Sequence, residues 1–207
     1  MDYTPMISAI LWPLLFFAML AAVFALVRPR FLGAIGEAAV SWKLRRYCVE
    51  VADDLILPDG RGGLTQVDHL ALTPGGLFFV ETKNYGGLIL GQTRDRTWTQ
   101  CIGRRRHKLQ NPLRQNWGHI KAVEALATGV PVSGLVVFTS RARFPKGLPA
   151  GVILLSDLRR VFARESGADV PQTYRQGWES VVAQSRSDRA ARKAHLSGIR
   201  QRKGGRA

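Results

Sequence analysis

An α/β (α+β) fold, a mixed sheet flanked by helices behind one N-terminal transmembrane helix, is predicted by three observations. The first is the run from Ile7 to Val27, 21 residues without a charge and interrupted only by Ser8 and Pro13. The second is the element order α-β-β-β-α-β-β-α, read from apolar periodicity and turn signals over the rest of the chain. The third is composition: 46% of the 207 residues are hydrophobic, enough to bury a core and too many for a disordered chain.

Taken in order, Ile7–Val27 as a helix spans ~31 Å, about the hydrocarbon thickness of a bilayer. A cleaved signal peptide would carry a basic segment before it. Here that segment holds Asp2 and no Lys or Arg, although Val23-Phe24-Ala25 resembles a cleavage site. The positive charges follow, at Arg28, Arg30 and Lys43. By the positive-inside rule this predicts a single-pass protein with its N-terminus outside and its C-terminal domain cytoplasmic. A second helix is expected over Ala34–Tyr47 and a strand near Asp54–Leu57. Pro58–Gly63 reads as a loop. Thr65–Leu72 and Leu77–Lys83 read as strands around Thr73-Pro74-Gly75-Gly76, a type II turn with Gly75 supplying the positive φ. Leu88–Gln92 is the next strand, and Asn111–Thr128 an amphipathic helix with Leu113, Trp117, Ile120, Val123 and Ala127 inward. Gly134–Thr139 and Val152–Leu155 are further strands. Ser156 caps a helix through Phe162, and a last helix covers Gln172–Gln184. The expected division is an anchor over 1–28, a domain over 33–150, its C-terminal extension over 151–184 and a basic tail over 185–207.

The chain carries 30 Lys and Arg against 15 Asp and Glu, a formal charge of +15, so its partner is expected to be polyanionic. Composition does not choose between nucleic acid and an anionic membrane surface; taken with the motifs below, the expected partner is nucleic acid, DNA ahead of RNA, with anionic lipid open to the basic tail. Two of the basic segments are distinct. Arg104, Arg105, Arg106 and Lys108 fall in an expected loop beside the Asn111 helix, where they would contact phosphates without reading bases. The tail, residues 185–207, has eight basic residues and one acidic. With only Cys48 and Cys101, a disulfide framework and a cysteine-based zinc motif are excluded. Both are expected as buried thiols in a reducing compartment.

The chemistry is expected at the Thr65–Lys83 hairpin. Pairing Leu72 with Leu77 sets Leu70 opposite Phe79, Asp68 opposite Glu81 and Gln66 opposite Lys83. Strand alternation then sends all four polar residues to one face. Carboxylates opposed at ~5 Å repel one another unless a cation sits between them, and Mg²⁺ (or Mn²⁺) fits oxygen ligands. Lys83 on the same face can assist a metal-bound water or stabilise charge on a phosphate. This is the set a phosphodiester hydrolase needs. On the preceding helix Glu37 shares a stripe with Val40, Leu44 and Cys48. It either brings a carboxylate inward or serves the positive end of the helix dipole. Gln115 lies off the core stripe of its helix, and His69 points away from Asp68 as a packed residue.

Gly33-x-x-Gly36-Glu37, Thr65-Gln66-Val67-Asp68-His69-Leu70, Val80-Glu81-Thr82-Lys83-Asn84-Tyr85-Gly86-Gly87, Trp98 and Asn111-Pro112-Leu113-Arg114-Gln115-Asn116 follow one another in the chain. Together they resemble the motifs of the NERD (nuclease-related) domain family. The resemblance covers about residues 33–140. It implies a PD-(D/E)xK nuclease-like, restriction-endonuclease-like αβββαβ core, with Asp68 and Glu81 as metal ligands joined by the backbone carbonyl of Thr82. It further implies Lys83 as the catalytic lysine and Glu37, Gln66 and Gln115 as supporting polar residues. A membrane-anchored, metal-dependent nuclease is therefore expected. The alternative is an idle nuclease-like module that tethers nucleic acid or a protein at the membrane.

Overall fold

The computed structural model describes residues 4–60, 62–139, 141–163, 169–186 and 197, the side chains of 4–11 and 29–30 excepted. Its architecture is mixed α and β, with two mixed sheets flanked by helices. The first helix, α1, runs unbroken over Thr4–Tyr47 and so joins the apolar segment to the expected second helix. At 1.5 Å per residue it is ~66 Å long. Its apolar stretch is long and apolar enough to cross a bilayer, and the described side chains Trp12–Val27 are exposed. Toward the C-terminal end, Val40 and Leu44 are fully buried, each contributing about 1.5–3 kcal/mol by burial.

Strands β1 (Glu50–Pro58), β2 (Leu64–Thr73) and β3 (Gly76–Lys83) form an antiparallel meander. Strand β7 (Val132–Phe138) adds to β3 in parallel, and β9 (Val152–Leu154) to β7, for the order β1-β2-β3-β7-β9. Helix α1 covers one face of this sheet, where Val40 and Leu44 meet Val80 and Val137. Helices α2 (Pro112–Leu126) and α4 (Gln172–Ala183) cover the other, with Val123, Ala127, Trp178 and Val181 against Leu70, Leu72, Leu77 and Phe79. A short helix, α3 (Leu158–Phe162), packs on the α1 side.

The second sheet was expected only in part. Strands β4 (Gly87–Leu90), β5 (Thr97–Ile102), β6 (Arg105–Gln110) and β8 (Ala142–Arg143) take the order β6-β5-β4-β8. The run Arg104–Lys108 is therefore mostly a strand rather than a loop. It pairs with β5, Arg106 opposite Cys101 and Lys108 opposite Thr99. Its charges hid a hairpin whose apolar contribution is confined to Trp98 and Leu109.

Several local expectations are corrected. The turn at Pro74-Gly75 is not type II, because the positive φ falls on Gly76, at 123°. A Cβ there would sit 2.3 Å from the Pro131 carbonyl oxygen, so the β3–β7 contact requires glycine at that position. Trp117 is 57% exposed, and buried Asn116 takes its place on the inward face of α2. Ser156 does not cap α3, since it lies inside the 3-10 turn Leu155–Asp157 that precedes it. Cys48 and Cys101 are half-buried rather than buried. Of the tail cations only Arg186 lies within the described residues, its N–H donating to the Ile56 carbonyl. Arg189, Arg192, Lys193, Arg200, Arg202, Lys203 and Arg206 lie outside them.

Candidate functional site

The β2–β3 ladder keeps the expected register as far as it runs: Leu72 faces Leu77, Leu70 faces Phe79, and the last pair is His69 with Val80, so the expected pairs Asp68–Glu81 and Gln66–Lys83 lie beyond it and do not form. One step further on, the backbone pairing stops. There the Asp68 carboxylate accepts from the Thr82 N–H at 2.9 Å, so the side chain replaces a ladder bond. Asp68 and Glu81 stand close enough for their charges to interact. Burial first, and then the Glu81 charge, push the Asp68 carboxyl above the ordinary aspartate range.

Glu81 is 3% exposed at the end of an inner strand. Its Oε1 accepts from Lys83 Nζ at 2.5 Å and from Gln115 Nε2 at 3.1 Å. Lys83 Nζ also reaches Gln115 Oε1 at 3.4 Å. Burial works to lower the Lys83 ammonium pKa, but the Glu81 charge and hydrogen bond more than offset it and raise it above the usual lysine value. Gln115 arrives from the first turn of α2, and the local sequence explains how. Asn111 accepts from the Leu113 N–H as N-cap, and Pro112 suits the first helical position. The Asn111 amide donates to the carbonyls of Thr93 and Asp95, 3.1 and 2.6 Å away, which ties the helix start to the β4–β5 loop. The Trp98 indole, fully buried on Phe138, donates to the Gln92 carbonyl in that same loop.

Gln66 is not where alternation sends it. The β1–β2 ladder pairs Asp53 with His69 and resumes at Leu55 with Val67, skipping the position of Asp54 and Asp68 between them. Asp54 has φ 56°, a left-handed conformation that aspartate tolerates at a cost. Register is the same on both sides, so no residue is inserted. The faces nevertheless switch: Val67 and Leu70 share one apolar cluster, as do Ala52 and Leu55. Gln66 consequently donates to Asp54 Oδ1 at 2.7 Å, not toward Lys83. It borders a groove of about 440 Å³ together with Glu37, Asp53, Asp54, Asp68 and His69.

Glu37 also departs from its expected position. It flanks the inward stripe and lines this groove, while Ile35 and Trp42 point to solvent. Burial, then the charge of Asp68, push its carboxyl up. The dipole alternative falls because α1 begins at Thr4, far from Glu37. Gly36 explains how α1 is brought close. A Cβ there would lie 3.1 Å from Asn84 Cβ and 3.2 Å from Thr139 Cγ2. Asn84 clamps the same junction, donating to the Leu32 carbonyl and accepting from Thr139 Oγ1 at 2.7 Å.

Among the described residues no three His, Cys, Asp or Glu side chains group closely enough to hold a metal ion by themselves. The donor set near Asp68 still fits a hard divalent cation. Two carboxylates whose charges repel one another lie there, and among the described residues Asp68 Oδ1 and Glu81 Oε2 accept no hydrogen bond. Thr82 sits between them, paired with Val137 in the sheet. Arg104, Arg105, Arg106 and Lys108 are exposed on the second sheet, and alternation places Arg106 and Lys108 together on one face of β6. A further cation, not expected from the sequence, is Arg141, whose guanidinium lies 3.5 Å from where a Gly86 Cβ would stand and whose carbonyl accepts from the Gly87 N–H.

A family model described as the nuclease-related domain matches residues 32–139, the stretch that carries every motif above. The chain belongs to the NERD family. It is also 39% identical over 101 residues to an uncharacterized Bacillus anthracis protein, covering 47% of this chain and 48% of the relative. The chain thus spans about half the length of the curated relative it matches. No solved structure matches it. The NERD match gives each motif a place in the fold. Gly36 and Asn84 seat α1, Asp68 and Val80–Lys83 bring the polar cluster together, and Asn111–Asn116 aim Gln115 at it.

Proposed function

We propose that this NERD-family chain is a membrane-anchored, Mg²⁺- or Mn²⁺-dependent nuclease that hydrolyses phosphodiester bonds of nucleic acid, DNA in preference to RNA. The observation that carries this reading is the partly buried Glu81–Lys83–Gln115 cluster adjoining Asp68, with Glu81 itself buried. Asp68, Glu81 and the Thr82 carbonyl would hold the ion. When bound it supplies a water of lowered pKa and positive charge at the scissile phosphate.

The rest is work for the chain's own side chains. Lys83, with its pKa raised, keeps its proton at neutral pH, so it donates to the phosphate and does not act as a base. Gln115 holds Glu81 and Lys83 in place, trading its weak 3.4 Å contact for substrate. Glu37, its carboxyl pKa raised by burial and by the Asp68 charge, lines the groove beside Asp68, where it hydrogen-bonds water entering toward the site. Arg104, Arg105, Arg106 and Lys108 grip the backbone from the β5–β6 hairpin, each phosphate contact adding salt-dependent affinity. In this reading the apolar part of α1 crosses the bilayer with the N-terminus outside and the domain cytoplasmic.

The test is cleavage by the full chain in detergent of linear, supercoiled and single-stranded DNA and of RNA, with and without Mg²⁺. Asp68→Ala and Lys83→Ala are run beside it. We expect metal-dependent cleavage that falls by more than ~100-fold in both variants, beyond the loss expected from an outer partner alone. Equal cleavage by the variants, or none by any form, overturns it. Salt-sensitive binding without cleavage would instead establish the tethering module.

A further inference from the structure

Behind the carboxylates, on the α1 side of the sheet, runs a second set of hydrogen bonds. Arg45 Nη2 and Ser41 Oγ donate to Asp53 Oδ2 at 2.6 and 2.7 Å. Asp53 Oδ1 meets His69 Nδ1 at 2.7 Å, and His69 Nε2 meets Thr82 Oγ1 at 3.0 Å. His69 is 2% exposed and Thr82 8%. Each link joins a different element: α1, β1, β2 and β3 in turn. Thr82 ends the chain of bonds, and its N–H is the one that holds Asp68 Oδ2.

The direction of the bonds can be read. Burial works to raise the Asp53 carboxyl pKa, but the hydrogen bonds from His69, Ser41 and Arg45 more than offset it and hold it well below the ordinary carboxylate range. An ionised carboxylate only accepts, so His69 donates through Nδ1. Nε2, at the other side of the ring, is then held against the Thr82 hydroxyl. This fixes the Thr82 side chain and, through it, the backbone that carries both Glu81 and the amide bound to Asp68.

We propose that His69, oriented by Asp53, is a positioning residue for the candidate metal ligands: through Thr82 it sets the separation and aim of Asp68 and Glu81. The inference rests on the metal-dependent reading above. An outer partner that aims a ligand typically contributes ~10–100-fold in metal affinity without touching the ion. The left-handed backbone at Asp54, next to Asp53, belongs to the same arrangement. It lets the strand turn Asp53 toward α1 while Leu55 returns to the core.

The experiment measures Mn²⁺ affinity of the full chain in detergent by electron paramagnetic resonance of bound and unbound ion, with no substrate present. His69→Ala, Thr82→Val and the double variant form a cycle, with Thr82→Ser as the conservative control and thermal unfolding as the check on folding. Thr82→Val keeps the N–H to Asp68 and removes only the hydroxyl, so it carries the test if His69→Ala fails to fold. Expected are a ~10–100-fold weaker Mn²⁺ dissociation constant in each single variant, no further loss in the double variant, and near wild-type affinity in Thr82→Ser. Unchanged affinity in the folded single variants, or losses that simply add, overturn the positioning role alone. If the wild type binds no Mn²⁺, or Asp68→Asn binds it as tightly as the wild type, the metal-dependent reading fails and this inference fails with it.

Discussion

Asp68 holds one hydrogen bond from Thr82 and faces the charge of Glu81 across a partly dry site. Its carboxyl is raised above the ordinary range, so the sign of its contribution follows. Above its raised pKa the ionised form destabilises the fold. Below the unfolded value both states are protonated and the difference vanishes. Asp68→Asn retains an oxygen for the Thr82 N–H and loses the charge. It should therefore raise the thermal midpoint of the metal-free protein at pH 7, by an amount that fades as pH falls toward about 4, while cleavage is lost. A lowered midpoint at pH 7 would show that the Asp68 charge is compensated otherwise. At this scale the acids, lysine and glutamine were legible as residue types. Asp53 was not legible as a site residue, although two adjacent acids directly before the apolar run Leu55-Ile56-Leu57 are a visible signal.

At the scale of elements, the helix–sheet junction depends on one missing Cβ. Gly36 admits α1 to within van der Waals distance of Asn84 and Thr139, whereas Gly33, one turn earlier, meets nothing within 4 Å. Gly36→Val should destabilise the protein by ~1–3 kcal/mol through overpacking. Gly33→Ala should be neutral or stabilising by up to ~1 kcal/mol, the propensity gain of alanine in a helix. Urea unfolding of both variants checks the contrast, and equal effects would refute it. The meander and its flanking helices were legible because their apolar periodicity is strong. The β5–β6 hairpin was not, because β6 is a strand of Arg, His and Lys whose backbone pairing, not its side chains, makes it one. The tilt of the α2 stripe was likewise misread: Asn116 is buried against Gly134 where the larger Trp117 was expected.

For the whole molecule, α1 is both the apolar segment and the helix that borders the candidate site. Lys43 Nζ donates to the Leu155 carbonyl and Asn84 to the Leu32 carbonyl, so the lower half of α1 is fastened to the first sheet. If α1 spans the membrane, Glu37 stands ten residues past Val27, ~15 Å along the helix. The groove would then open close to the bilayer surface. The full chain should remain in the membrane pellet after alkaline carbonate extraction, with an intact N-terminus by mass. Release into the supernatant, or loss of the first ~25 residues, would identify a cleaved leader instead.

The layered α/β architecture, the β2–β3 register as far as His69–Val80, and the residue types Asp68 on β2 and Glu81 and Lys83 at the end of β3 are all legible in the sequence. These follow from periodicity and turn position, which are local properties of the chain. Only the tertiary structure decided which face Gln66 takes, that Glu37 flanks the groove, and that His69 is tied to Thr82. Strand alternation assumes a regular backbone. The left-handed turn at Asp54 breaks that regularity, and it is held by partners from neighbouring strands that no single segment contains.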